Sequence, residues 1–281
     1  MVSTVEEIEA RFAQQRSVAD SLHSCQLSGA GPLSTQFYEV LRGLIVSLDL
    51  HPGQLLSEQE IAEAFSASKT PVREALIRLE VARLVKIVPK SGTYVMPIDL
   101  ARYKEACFVR LSLEASAIRL AAQNPDRDSF ATQLMMMITE QERACRSGDY
   151  PAYFKADVGL HKLFVEMAGV AGVWGAIERS QVDVFRIRHL LGMQNLGRSK
   201  QAIADHKSIV VAVLAGDPDA AQAELVSHIG SLEGKLRILE EQPGILEFIE
   251  KLNETAHLPT RARRSRAVKA AAVKVEETCR V

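Results

Sequence analysis

Asp157, His161, His206 and His228 are ionisable residues set where the chain should be oily. They fall on three segments, and each segment reads as an amphipathic helix that carries the ionisable residue on its apolar stripe. Over 150–169, Phe154, Asp157, Val158, His161, Phe164, Val165 and Ala168 recur at spacings of three and four. His206 shares a stripe with Ile203, Ile209, Val210 and Val213, and His228 with Ala221, Leu225, Leu232 and Leu239. Burying such groups is costly unless they are paired or bound to metal. One such histidine alone reads as a satisfied core residue. A carboxylate and three imidazoles converging in a helical bundle read as metal ligands. Asp157 and His161 lie one turn apart, which suits chelation of a single ion. This oxygen/nitrogen set fits a divalent ion, Zn²⁺ first, with Ni²⁺, Fe²⁺ or Mn²⁺ as alternatives.

A second group of residues suits DNA. Residues 58–66 and 70–82 read as two helices joined by a tight turn. Val72, Ala75, Leu76 and Leu79 share one face of the later helix as core, and Lys69, Thr70, Arg73 and Ile77 lie on the other. Lys69 and Arg73 are neighbours near the helix start, the end that a recognition helix points at base edges. Arg or Lys bonds guanine O6 and N7, and hydroxyls suit bases or phosphate. Either cation alone also reads as an ordinary solvated charge.

The elements that must position these residues follow from pattern. Phe37, Val40, Leu41, Leu44 and Leu48 give a first helix, and Ser57-Glu58-Gln59-Glu60 is a capping box opening a second. Ser68 and Thr70 are candidate N-caps for the third, with Pro71 in its first turn. Val85–Val88 and Thr93–Met96 read as a hairpin around Pro89-Lys90-Ser91-Gly92. Beyond Pro97 the spacing predicts helices over 100–122, 126–147, 150–169, 171–192, 199–215 and 218–240, an all-α unit. Met135, Met136 and Met137 read as core packing, since three neighbours point in different directions.

The expected fold is thus mainly α. Residues 1–31 form an N-terminal extension and 32–96 a winged helix-turn-helix. Residues 97–100 form a linker, 101–245 a helical sensor, and 246–281 a basic, solvated tail. Val5, Ile8 and Phe12 suit one short helix within an otherwise mobile leader. The net charge is −1, so any hold on nucleic acid has to come from a local patch. Cys25, Cys107, Cys145 and Cys279 are scattered without a CxxC, which fits a reducing cytoplasm. No secretory leader is visible. The longest apolar run, Ile209–Ala215, is too short to span a bilayer, so no membrane partner is expected.

Several runs resemble the winged helix of GntR-type bacterial regulators. They are Pro52-Gly53-Gln54-Leu55, Ser57-Glu58-Gln59-Glu60-Ile61-Ala62, Ser68-Lys69-Thr70-Pro71-Val72-Arg73-Glu74-Ala75-Leu76, Leu79-Glu80 and Gly92-Thr93-Tyr94-Val95. The resemblance implies that Ser68, Lys69, Thr70 and Arg73 touch DNA and that Gly92 sits at the wing tip. Lys69 stands where the family usually has Arg, Gln59 where some members have a DNA-contacting Arg, and Arg83 where Gly is common. Arg110-x-x-Leu113-Glu114, Asp157-x-x-x-His161, Asp205-His206, Ala215-Gly216-Asp217 and His228 resemble the FCD ligand-sensing domain of one branch of that family. Its metal-binding members hold the ion through an Asp and three His, and all four positions match. Asp205 is read as a residue that orients a ligand.

The expected protein is a regulator, not an enzyme, that represses transcription from a double-stranded operator. The resemblance implies a homodimer and an inverted repeat. A small carboxylate metabolite would take open positions on the metal. Arg110, on the stripe with Tyr103, Ala106, Leu113 and Ala117, would clamp that carboxylate as a fork, or else form a buried pair with Glu114. Arg188 is a further residue of the same kind. The alternatives are a metal-dependent enzyme of helical-bundle type, and a regulator whose metal is structural and whose effector is different.

Overall fold

A computed structural model of the chain describes residues 17–23, 25–192, 197–230 and 243–256. These fall into two compact units. One takes in the described residues of 16–45, 49–97 and 251–256, and the other those of 46–48 and 98–250.

The first unit begins with helix α1 (Val18–His23), which buries Val18, Ser21 and Leu22. This corrects the expectation of a leader up to residue 31: a six-residue helix within it packs against the helix that opens the DNA-reading motif. Val5, Ile8 and Phe12 lie outside the described residues. Helix α2 (Leu33–Val46) supplies Phe37, Leu41 and Ile45 to the core. Helix α3 (Glu58–Ala64) starts where Ser57 Oγ accepts the Glu60 amide at 3.3 Å, as the capping sequence requires. Helix α4 (Lys69–Val81) buries Val72, Ala75, Leu76 and Leu79, the expected stripe.

The hairpin of β2 (Val85–Val88) and β3 (Gly92–Val95) gains a third strand, β1 (Leu55–Leu56). The antiparallel order is β1-β3-β2, with Leu56 opposite Thr93 and Ile87 opposite Thr93. Two residues are too few to show an alternating pattern, so β1 has no sequence signature. Arg83, at the position where the family commonly has Gly, adopts φ +58, the left-handed conformation that glycine enters without steric cost.

The second unit is helical. Asp99 caps α5 (Leu100–Gln123) by accepting the amides of Ala101 and Arg102. A 3₁₀ turn (Arg127–Phe130) then leads into α6 (Ala131–Ser147). Gly148, at φ +72, ends α6, and Asp149 caps α7 (Tyr150–Met167). The single helix expected over 171–192 is instead a 3₁₀ turn followed by α8 (Trp174–Ser180) and α9 (Val182–Gly192), broken at Gln181. No Gly or Pro marks that break, and apolar spacing runs through it. Helix α10 (Gly197–Ala215) is followed by α11 (Pro218–Ile229), capped by Asp217.

The helix expected over 218–240 therefore stops at Ile229, where Gly230 turns away at φ +74. Leu232 and Leu239, expected on its stripe, lie outside the described residues. Helix α12 (Pro243–Thr255) crosses the boundary expected at 245, with Ile245, Phe248 and Ile249 buried, so 246–255 is not part of a solvated tail. The basic residues from Arg261 onward lie outside the described residues.

The bundle packs α6 on α7, α10 on α11 and α11 on α5, around Ile118, Leu134, Ile138, Leu160, Phe164, Ile209 and Leu225. Met135 and Met136 are exposed, contrary to expectation, and Met137 alone of the three packs against this core. This core is apolar and mostly aliphatic, which makes the buried polar residues beside it conspicuous. Among the described residues no helix is long and apolar enough to cross a membrane.

Candidate metal centre and nucleic-acid interface

Helix α7 brings Asp157 and His161 to the bundle interior, α10 brings His206 and α11 brings His228. One donor atom from each of the four lies within 4.8 Å of the others. Asp157, His161 and His206 are buried, and His228 nearly so.

Each imidazole is held by its Nδ1. His161 Nδ1 donates to Glu114 Oε2 at 2.6 Å, His206 Nδ1 to Gln141 Oε1 at 2.7 Å, and His228 Nδ1 to Asp205 Oδ2 at 3.3 Å. Gln141 is itself oriented by donating Nε2 to the Ala156 carbonyl at 3.4 Å. In the neutral form of each ring, a proton on Nδ1 leaves Nε2 with a bare lone pair, the tautomer that binds metal.

These lone pairs point at one another. His206 Nε2 and His228 Nε2 are 3.0 Å apart, and His161 Nε2 is buried without a hydrogen-bond partner. Protonation is a poor remedy. Burial above all lowers His206 well below the ordinary histidine value, and the opposing pull of Asp157 does not make up for it. Burial and His161 push His228 down to about 4. Two neutral nitrogens facing lone pair to lone pair repel unless a cation lies between them. Two donors bound to one ion at about 2.1 Å sit roughly 3.0–3.4 Å apart, which the observed separation matches. The residues present thus fit a divalent cation.

The carboxylate is equally prepared. Burial alone pushes the Asp157 carboxyl up, but above all the charge of Arg188 holds it well below the usual carboxylate range. Arg188 Nη2 donates to Asp157 Oδ2 at 2.8 Å, while Oδ1 lies 3.8 Å from His206 Nε2 and faces the cluster.

Arg110 is buried and donates Nε to Glu114 Oε1 at 2.9 Å, so the pair weighed from sequence is formed. Its charge is nonetheless felt inside the cluster, adding to the burial and the His161 charge that lower His228. Glu114 thus has one oxygen on Arg110 and the other on His161. Burial works against its ionised form, but Arg110 and His161 hold it down to about 2.

Sequence reasoning reached Asp205 as an orienting residue but assigned no such role to Glu114 or Gln141. Asp205 orients His228, not its chain neighbour His206. Gln141 is neutral, and no ionisable residue on a stripe betrays it.

At the other site, Ser68 is the N-cap of α4, but its side chain makes no capping bond. Ser68, Lys69, Thr70 and Arg73 are all exposed. Arg73 is gripped by Glu58, with Nε to Oε1 at 3.0 Å and Nη2 to Oε2 at 2.7 Å. Lys69 Nζ donates to Gln59 Oε1 at 3.3 Å, and Gln59 donates to Glu63 Oε1 at 2.8 Å. Gly92 lies just past the turn rather than at the tip expected of it. It opens β3 opposite Val88 at φ +136, where a Cβ would collide with Leu55 Cδ1.

Residues 33–95 match the model of bacterial regulatory proteins of the gntR family, and residues 105–231 match that of the FCD domain. An HTH-type regulator from Streptomyces ambofaciens is 30% identical over 192 residues, covering 68% of this chain and 80% of that protein. The chain belongs to the GntR family. It is a transcriptional regulator with an FCD domain. Another relative, the HTH-type transcriptional repressor RspR of Escherichia coli (strain K12), is 29% identical over 217 residues, 77% of this chain and 94% of its own. Among solved structures, E. coli McbR/YncC superposes with a TM-score of 0.66 at 22% identity, over 76% of this chain and 99% of that one. That likeness shows the fold. The GntR match falls almost wholly on the first unit and the FCD match on the second, so the GntR portion carries α4 with its exposed Ser68, Lys69, Thr70 and Arg73, and the FCD portion carries the buried cluster.

Proposed function

We propose that this GntR-family regulator is a cytoplasmic repressor that binds an inverted-repeat operator as a homodimer. A small carboxylate metabolite at the FCD centre would control that grip. Asp157, His161, His206 and His228 would hold a divalent cation there, Zn²⁺ first. When bound, the ion supplies Lewis-acid positions that a carboxylate can occupy. The chain supplies the rest. Glu114, Gln141 and Asp205 fix the three imidazoles, Arg188 fixes Asp157, and Arg110 offers a guanidinium fork for the anion. At the other unit, Ser68, Lys69, Thr70, Arg73 and the backbone at Gly92 would meet DNA.

One observation carries this reading: three buried imidazoles, each anchored at Nδ1, turn their bare nitrogens on one another beside a carboxylate. The relatives' being regulators supports a binding role over catalysis, and the name of RspR supports repression. The deciding experiment is elemental analysis of the purified protein and of His206→Ala combined with His228→Ala. Equimolar metal in the parent and none in a folded variant supports the site. Full metal in the variant ends it.

A further inference from the structure

We propose that Glu58 is a specificity-determining residue that buttresses Arg73, so that one chosen edge of its guanidinium is offered to a base. The inference rests on Arg73 reading DNA, as proposed above.

A guanidinium carries five N–H bonds. Glu58 takes the Nε–H and one hydrogen of Nη2, through two bonds of 3.0 and 2.7 Å. What remains is the terminal edge, both hydrogens of Nη1 and one of Nη2. That edge can bond guanine O6 and N7 together, the commonest specific contact between a side chain and DNA. An unrestrained arginine has other options. It swings to a phosphate, or presents its side edge, and so spreads affinity over many sequences. Locked to Glu58, it keeps one direction and one geometry.

The placement comes from the fold of the motif. Glu58 is the first residue of α3, directly after the Ser57 cap, where the helix terminus favours a negative charge. Arg73 is one turn into α4 and its side chain is 64% exposed, against 30% for Glu58. The arginine therefore faces outward while the carboxylate stands behind it. Glu58 also has a cost of the kind that creates selectivity. A carboxylate near DNA repels phosphates, so it weakens every site and is repaid only where Arg73 meets its base. Lys69 is held differently, by a single 3.3 Å bond to the neutral amide of Gln59. One bond from a rotating ammonium restricts direction less than two bonds to a planar fork, so discrimination concentrates at the base pair beneath Arg73.

The test uses the full chain. An operator is first selected from a pool of double-stranded DNA with randomised positions. Affinity is then measured for that operator, for versions with each G·C pair changed to A·T, and for sonicated DNA of unrelated sequence. Circular dichroism and sedimentation verify folding and assembly of each variant. Glu58→Gln keeps the shape and removes the charge. It is expected to weaken the selected operator about ten-fold or more and to strengthen binding to unrelated DNA. The lost discrimination should map to one base pair per half-site, the same pair affected by Arg73→Lys. Tighter operator binding by Glu58→Gln with base preference intact would overturn the proposal, since Glu58 would then be a competitor that DNA displaces. No change in either affinity would overturn it as well. If Arg73→Ala leaves base preference untouched, the underlying assignment of Arg73 fails instead, and the two failures are told apart by which variant is silent.

Discussion

His206 and His228 face each other Nε2 to Nε2 across 3.0 Å while each donates its Nδ1 proton to a different acceptor. In a buried cluster this contact is repulsive for two neutral rings, and a shared cation would relieve it.

Removing the ion should therefore destabilise the FCD unit. Metal that binds the folded state and not the unfolded one contributes about 2.7 kcal/mol at a hundred-fold excess over its Kd. Dialysis against a chelator is expected to lower the melting temperature, and titration with Zn²⁺ to restore it in proportion to the logarithm of free metal. A melting curve indifferent to both treatments would contradict the assignment.

Glu114 joins two charged partners and should be costly to change. Glu114→Gln leaves Arg110 buried without its anion, and breaking a buried pair in this way costs about 3–5 kcal/mol. It also exchanges the carboxylate behind His161 for a neutral acceptor, which typically weakens metal binding about 10–100-fold. Urea unfolding reads the first effect and competition with a chromophoric chelator reads the second. A variant with unchanged metal affinity would reduce Glu114 to a partner of Arg110.

Arg73→Ala is expected to abolish specific operator binding while leaving the fold intact, because the side chain is exposed and its one described partner is Glu58 at the surface. Gel shifts against specific and unrelated DNA check this. Unaltered preference for the operator would remove Arg73 from the reading surface.

The two serine caps should behave differently. Ser57 Oγ accepts the Glu60 amide, so Ser57→Ala should cost about 1 kcal/mol of stability. Ser68 makes no capping bond, so Ser68→Ala should change stability by less than about 0.5 kcal/mol yet weaken DNA binding. Thermal melting and gel shifts run side by side separate the two.

Much of this was legible from residues alone, for a physical reason. Asp157, His161, His206 and His228 violate an apolar period, and such violations stand out against the aliphatic stripes that surround them. The recognition helix likewise separates its buried face from Lys69, Thr70 and Arg73. What escaped notice depends on contacts between distant segments. Gln141 orients His206 across 65 residues, and Glu114 reaches His161 across 47. Neither partner is out of place in its own helix. Strand β1 is two residues long and exists only because β3 runs beside it. Helix α1 is too short to hold itself and is kept by packing. The end of α11 at Ile229 was missed because Leu232 and Leu239 prolong the same spacing beyond Gly230.

Helix α5 runs unbroken for 24 residues, from the Asp99 cap through Arg110 and Glu114. At about 1.5 Å per residue, Glu114 stands roughly 21 Å from the first turn. A stiff rod pivoting near that carboxylate by about 5° carries its far end through some 2 Å, about the scale of the helix shifts that operate known switches. A nudge felt by one buried oxygen would thus be delivered, magnified, to the point where the polypeptide departs for the operator-reading half.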